Sequence, residues 1–295
     1  MAPVVQIQSI LYGNSLSEIW RFVRSLRPMV EHARREGLLE AALVRVGDCS
    51  PTPRCSEADL ADLRSAVGDI SLTYQFFDAN LMTARGHNTL AEEADAEHLL
   101  VINPDTYASP ALLSHLLRAM AEPSVGIAEA RQIPVEHPKA YDPVTGETSW
   151  ASTCCVLIRT SAVRAVGGFD PEYFPLYCDD VDFAWRVRLA GFRVLHVPRA
   201  AIFHDKRITS HGMIDHSETE QYHSTLAGLM LARRYSRPDI EQQITGWITN
   251  HGEVAQRRAL GDFRDRDRDG TTPDPLAGGG QVAEFVDGAY ARHRF

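Results

Sequence analysis

Positive charge and long apolar runs are both scarce in this sequence. Lysine and arginine number 30 against 39 aspartates and glutamates, a formal net charge of −9. That balance argues against broad nucleic-acid binding, which is built from clustered Lys and Arg. An anionic small ligand is not excluded, because a local site can differ in sign from the whole. No apolar stretch comes near the length of about 20 residues that crosses a bilayer, and no charged, apolar, small-residue signal opens the chain. The expected location is the cytoplasm, with a peripheral membrane contact left open. The five cysteines (Cys49, Cys55, Cys154, Cys155, Cys178) are odd in number and form no CxxC pair. This excludes a standard zinc site and a secreted disulfide framework, and leaves reduced packing residues. No internal repeat is present.

What is there is enough for a core: 295 residues, 44% of them apolar. The run Val4 to Leu11 suits a buried strand, and Ile19, Phe22, Val23 and Leu26 then repeat at helical spacing. A further strand follows at "ALVRVGD". Strand, helix, strand implies a parallel pair with a crossover helix. A second unit has a strand near Ile70 to Phe77, a helix near Thr83 to Ala94 and the strand "HLLVIN", His98 to Asn103. "SPALLSHLLRAM" starts a helix with Ser109 as N-cap. Asn103 and Asp105 therefore lie at the carboxyl end of a parallel strand, the edge where open α/β sheets bind ligands. Further strands are expected at "CCVLIR" and "FRVLHVP", with helices over Val181 to Ala190 and near Glu218 to Arg234. "DFRDRDRDGTTPDPLAGGG", 262–280, alternates charge and then runs through Pro and Gly, and reads as a solvated linker. The final "QVAEFVDGAYARHRF" reads as a short helix that docks. The division expected is a catalytic domain over 1–235 and a C-terminal helical extension over 236–295.

The densest chemistry lies in "CDDVDFAWRVRLAGF". Asp179, Asp180 and Asp182 crowd three carboxylates into four positions. Acids at a helix start answer the helix dipole at about 0.3 to 1 kcal/mol each, which accounts for one or two of them. Asp182 stands four residues before Arg186, the spacing of a helical ion pair. His211, His216 and His223 fit no standard zinc spacing and read as acceptor-side or solvent residues.

"NPDT" ending a strand, an earlier "GHN", "GGFDPEYF", "CDDVDFAWRVRLAGF" and the later His of "AIFHD" together resemble glycosyltransferase family 2, in its rhamnosyltransferase-like branch. The resemblance runs in order from about Val4 to Arg234 and leaves the tail outside. It implies an α/β GT-A fold, with a mainly parallel sheet flanked by helices. It also implies sugar transfer, with inversion, from a nucleotide-diphosphate donor to an acceptor hydroxyl.

By that resemblance Asp105 takes the last carboxylate of the family's Asp-x-Asp motif and is the candidate ligand for Mn²⁺ or Mg²⁺. Asn103 takes the first slot, and His204 matches a histidine that reaches the metal or diphosphate. Hard cations of this kind prefer carboxylate oxygen. Read without the family, Asp105 is a turn or cap residue and His204 an ordinary surface or core histidine. "CDDVD" corresponds to the family's Glu-Asp-x-Asp, which makes Asp180 the general base and gives Asp179 the task of orienting the acceptor or its loop. Tyr12 and Asp48 are implied at the nucleobase of a dTDP- or UDP-sugar, with Asn80, Arg85 and Asn88 near the nucleotide. Gly47 stands where a second acid is frequent, and Met82 where the family often has Gly. Trp150 offers a stacking face for the sugar, while Phe169 and Asp170 shape the acceptor pocket. The competing readings are a nucleotidyltransferase or hydrolase on a similar sheet and a catalytically silent nucleotide-sugar binder. A homodimer is left open.

Overall fold

The computed structural model describes residues 2–136, 139–206 and 217–290. Its first half is a run of crossover units: β1 (Val4–Leu11), α1 (Leu16–Arg35), β2 (Ala41–Asp48), α2 (Glu57–Val67), β3 (Ser71–Phe76), α3 (Met82–Ala91) and β4 (His98–Ile102). These four strands pair in parallel in the order β3-β2-β1-β4. Residues 5–11 of β1 are all buried, as expected of a strand covered on both faces. A Ser15–Glu18 capping box starts α1, whose buried stripe includes Ile19, Phe22, Val23 and Leu26.

The second half adds β5 (Thr106–Ala108), α4 (Leu112–Ala119), β6 (Val125–Ile133), β7 (Cys155–Arg159), α5 (Thr160–Val166), α6 (Asp179–Leu189) and β8 (Arg193–His204). The sheet runs β3-β2-β1-β4-β7-β6-β8-β5, and only β7 and β5 run against the others. One core lies between the sheet and α1, α2 and α4. The other lies on the opposite side, under α5 and α6 and three C-terminal helices, α7 (Glu218–Arg234), α8 (Pro238–His251) and α9 (Val254–Arg268). All five cysteines are free and buried.

The structure corrects three sequence expectations. Ser109 does not cap α4 with its side chain; its N–H still bonds the Ala201 carbonyl at the sheet edge, and the helix begins at Leu112. The stretch 262–268 is not a linker but the end of α9. Phe263 anchors it in the core, Tyr222 donates to Asp262 at 2.6 Å, and Asp267 pairs with Arg233. Its charges are thus spent on neighbouring helices as well as on water. The tail docks, but not as a helix: after a short 3-10 turn (Gly279–Gln281), Phe285 packs on Trp185 at 5.3 Å between centroids and Tyr290 on Trp150 at 5.1 Å. A turn bridging Val286 and Ala289 interrupts any helix there.

Candidate active site

The chain folds back twice to build one corner of the site. Asn103, Pro104 and Asp105 form the turn between β4 and β5, where Thr106 donates its hydroxyl to the Asn103 carbonyl at 2.6 Å. Antiparallel pairing then sets Thr106 opposite His204 at the end of β8. Two side chains 99 residues apart thereby meet, His204 Nε2 lying 3.1 Å from Asp105 Oδ2. The other carboxylate oxygen, Asp105 Oδ1, is buried with no partner among the described residues. On its far side, His204 Nδ1 lies 2.9 Å from Gln132 Oε1 and 3.2 Å from Cys154 Sγ.

The acidic cluster is split three ways. Tyr177 and Cys178 adopt left-handed backbone, with φ of 63° and 53°, and turn the chain sharply into α6. Asp179 is buried there, 3.4 Å from the Thr83 hydroxyl, and Thr83 also donates to the Pro175 carbonyl. These contacts seat the start of α3 against the acidic turn. Burial pushes the Asp179 carboxyl well above the ordinary carboxylate range, and the charge of Asp180 adds to the effect. Asp180 is half-buried and accepts from the Val181 N–H at 2.9 Å. Asp182 points into the core, where Arg186 Nε donates to it at 2.7 Å as the spacing predicts. Arg234 Nε stands 3.2 Å away, and the Tyr235 hydroxyl donates at 3.1 Å. A shared response to the helix dipole does not describe three side chains in three different environments.

At the nucleotide end, Tyr12 is 59% exposed just past β1, with a ring open to a ligand. Asp48, at the end of β2, is held inside the fold. It is fully buried, its oxygens accept from the N–H groups of Ser50 (2.9 Å) and Arg54 (2.8 Å), and it is bonded by the Tyr74 hydroxyl. Those bonds tie Asp48 to the 49–54 loop. The neighbouring Gly47 is explained by space: a Cβ there would lie 2.5 Å from Phe77 Cε2. Met82 occupies the family's glycine position with φ of 57°, a conformation that favours glycine, and Asn80 Oδ1 accepts its N–H at 3.1 Å. Arg85 is exposed on α3. Asn88 ties α3 to the 167–170 turn: its amide donates to the Phe169 carbonyl at 2.8 Å and accepts the Phe169 N–H at 2.9 Å.

On the expected acceptor side the structure places packing residues. Trp150 is 2% exposed, with Lys139 Nζ 3.6 Å above its ring and Tyr290 against it, so it is no open stacking platform. Phe169 is buried against Phe183, and Asp170 pairs with Arg234 at 2.5 Å. Sequence reading missed the ion network beneath Trp150. Buried Glu129 on β6 receives Lys139 at 2.6 Å, with His196 Nδ1 at 3.4 Å. Burial opposes its charge, yet Lys139 and His196 hold the carboxyl below its ordinary range. The available signal was Glu129, a lone acid within the apolar run 125–130 of that strand. His223 is half-buried on α7, and His211 and His216 lie outside the described residues.

No protein-family model matches the chain. Over 65 residues it is 42% identical to the N-acetylglucosaminyl-diphospho-decaprenol L-rhamnosyltransferase of Mycobacterium tuberculosis (strain CDC 1551 / Oshkosh), covering 22% of this chain and 21% of that protein. Over 55 residues it is 40% identical to the rhamnosyltransferase WbbL of Escherichia coli (strain K12), covering 19% and 20%. The chain thus matches only about a fifth of the length of either relative. Among solved structures, the mannosyltransferase PcManGT from Pyrobaculum calidifontis, in complex with GDP-Man and Mn²⁺, superposes with a TM-score of 0.60 at 12% identity, over 91% of this chain and 76% of that one. Residues 1–349 of S. aureus TarS, in complex with UDP-GlcNAc, give 0.59 at 14% identity, over 89% and 80%. In fold the chain is similar to these glycosyltransferases, and over about a fifth of its length its sequence is similar to the two rhamnosyltransferases.

Proposed function

We propose that the protein is an inverting, metal-dependent glycosyltransferase that moves a sugar from a dTDP- or UDP-sugar to an acceptor hydroxyl. The observation that carries this reading is the meeting of Asp105 and His204 at the open end of the sheet. Asp105 Oδ2 and His204 Nε2 are 3.1 Å apart, close to the roughly 2.9 Å between adjacent ligands of an octahedral Mg²⁺ with bonds of 2.0 to 2.1 Å. The unpartnered Asp105 Oδ1 is a further buried acceptor beside them. Among the described residues no third His, Cys, Asp or Glu completes a metal cluster. That suits an ion held by few side chains and otherwise by water and donor phosphate. Asp105 and His204 would hold the ion, which as a Lewis acid would stabilise charge on the departing diphosphate.

The chain's own residues supply the rest. Asp180 takes the proton as the acceptor oxygen bonds to the anomeric carbon, from the side opposite the breaking bond to diphosphate. Asp179, kept toward its neutral form by burial, spares that base a second full charge. Tyr12 offers an aromatic face to the base, and Arg85, Asn80 and Asn103 line the route to the diphosphate. The test is nucleoside diphosphate release and transfer from dTDP- and UDP-sugars, with and without Mn²⁺. Asp105→Ala should lose the metal response, and Asp180→Asn should lower transfer about 10² to 10⁴-fold with donor affinity unchanged. A wild-type metal response in Asp105→Ala, or lost donor binding in Asp180→Asn, refutes the assignment.

A further inference from the structure

A neutral imidazole carries one proton, so whatever bonds Nδ1 of His204 decides what Nε2 offers to Asp105. Gln132 stands at the end of β6, in register with Ile202 on β8, and is 1% exposed. Its Oε1 lies 2.9 Å from His204 Nδ1, while its own Nε2 is buried with no partner among the described residues. A buried amide that leaves its NH₂ unpaired is costly, so packing alone does not explain a glutamine here. Cys154 Sγ, 3.2 Å from the same ring nitrogen, is the weaker acceptor of the two.

We propose that Gln132 is the positioning residue of the cation site: by accepting from His204 Nδ1–H it fixes the tautomer whose Nε2 lone pair faces Asp105. The inference rests on the metal-dependent reading above. The contact between Nε2 and Asp105 Oδ2 is then one of two acceptors 3.1 Å apart, a pair that repels until a cation joins them. Were the amide turned over, its NH₂ would donate to Nδ1, and a proton on Nε2 would close a hydrogen bond to Asp105. Both ligands would then be spent on each other. One uncharged side chain therefore separates a site open to a cation from one closed on itself, without changing the shape of the pocket. Outer partners of this kind typically set metal affinity by about 10- to 100-fold.

The experiment uses the full chain in two measurements. Long-range proton–nitrogen NMR on the metal-free, ¹⁵N-labelled protein reads the His204 tautomer; a proton on Nδ1 is expected, and one on Nε2 overturns the proposal. Mn²⁺ titrations followed by electron paramagnetic resonance then compare wild type with Gln132→Met, which removes the acceptor, and Gln132→Glu, which keeps it. Gln132→Met should weaken Mn²⁺ binding about 10- to 100-fold and move the proton to Nε2 in part, while Gln132→Glu retains both affinity and tautomer. In a His204→Ala background Gln132→Met should change nothing. Equal affinity in wild type and Gln132→Met, or an undiminished loss in the His204→Ala background, overturns the proposal. If wild type shows no Mn²⁺ affinity, the metal-dependent reading falls, and the NMR result still decides the tautomer. Should Gln132→Met fail to fold, the tautomers of wild type and Gln132→Glu carry the test.

Discussion

Replacing Asp182 with asparagine should unfold the acidic helix's anchor while leaving its outline unchanged. The side chain is fully buried and meets Arg186 at 2.7 Å, Arg234 at 3.2 Å and the Tyr235 hydroxyl at 3.1 Å. Asparagine removes the charge and turns one oxygen into a donor that faces a guanidinium or a hydroxyl. Breaking a buried pair by neutralising one partner costs about 3 to 5 kcal/mol. Asp170 still pairs with Arg234, so the loss should lie near the lower figure. With an unfolding entropy of about 2.1 cal/mol/K per residue, the 295-residue chain loses about 5 °C of Tm for about 3 kcal/mol. Thermal melts followed by circular dichroism give the number directly. The loss should shrink in an Arg234→Met background, because that guanidinium is then no longer left unpaired. A Tm for Asp182→Asn within about 1 °C of wild type would refute the reasoning, since it would place Asp182 among surface acids worth well under 1 kcal/mol.

Gly47→Asp should destabilise the fold by about 1 to 3 kcal/mol in urea, because its Cβ would meet the Phe77 ring at 2.5 Å. Phe77→Ala in the same chain should relieve part of that cost, and no relief would discount the steric account. Asp179→Asn should remove a pH dependence. The native carboxyl keeps its proton above the unfolded value near 3.8, so stability falls as pH rises from there toward the raised native value. The substitution should therefore help more at neutral than at acid pH, and melts showing the opposite order would reject the burial argument. Removing residues 282–295 takes Phe285 from Trp185 and Tyr290 from Trp150. Tryptophan emission should shift to the red, and an unchanged spectrum would mean that the tail does not dock.

Strands and helices with strong periodicity were legible in the sequence: residues 4–11, the α1 stripe and α7, whose limits match the expected Glu218 to Arg234. Helix α2 was not recognised, although Ser56 and Asp59 form a capping box and Leu60, Leu63 and Val67 share a buried face. The end of α9 was misread because charge alternation looks the same on a solvated linker and on a helix whose charges pair with its neighbours. Asp105 and His204 were singled out by their motifs, and the pairing of β5 with β8 brings these two distant residues into contact. Asp48, Asn88, Trp150, Phe169 and Asp170 share a different lesson. Each is polar or aromatic in a motif-rich segment, and the contacts it makes within the fold are visible only in three dimensions. Gln132 and Glu129 stayed hidden for the converse reason, since a polar residue in a strand shows what it binds only through what lies across the sheet.

The tie between Asp182 and α7 has a consequence for how such chains can be recombined. Arg234 and Tyr235, at the end of α7, reach back to the helix that presents Asp180, and the Leu276 N–H in turn bonds the Arg234 carbonyl. The proposed base is thus braced from behind by the last third of the polypeptide. A chimera that joins this chain's first 205 residues to another protein's C-terminal segment would import a foreign brace, and Asp182 would keep Arg186 but lose Arg234 and Tyr235. Swaps of that kind should preserve function only when residues 182, 186, 234 and 235 travel as one set.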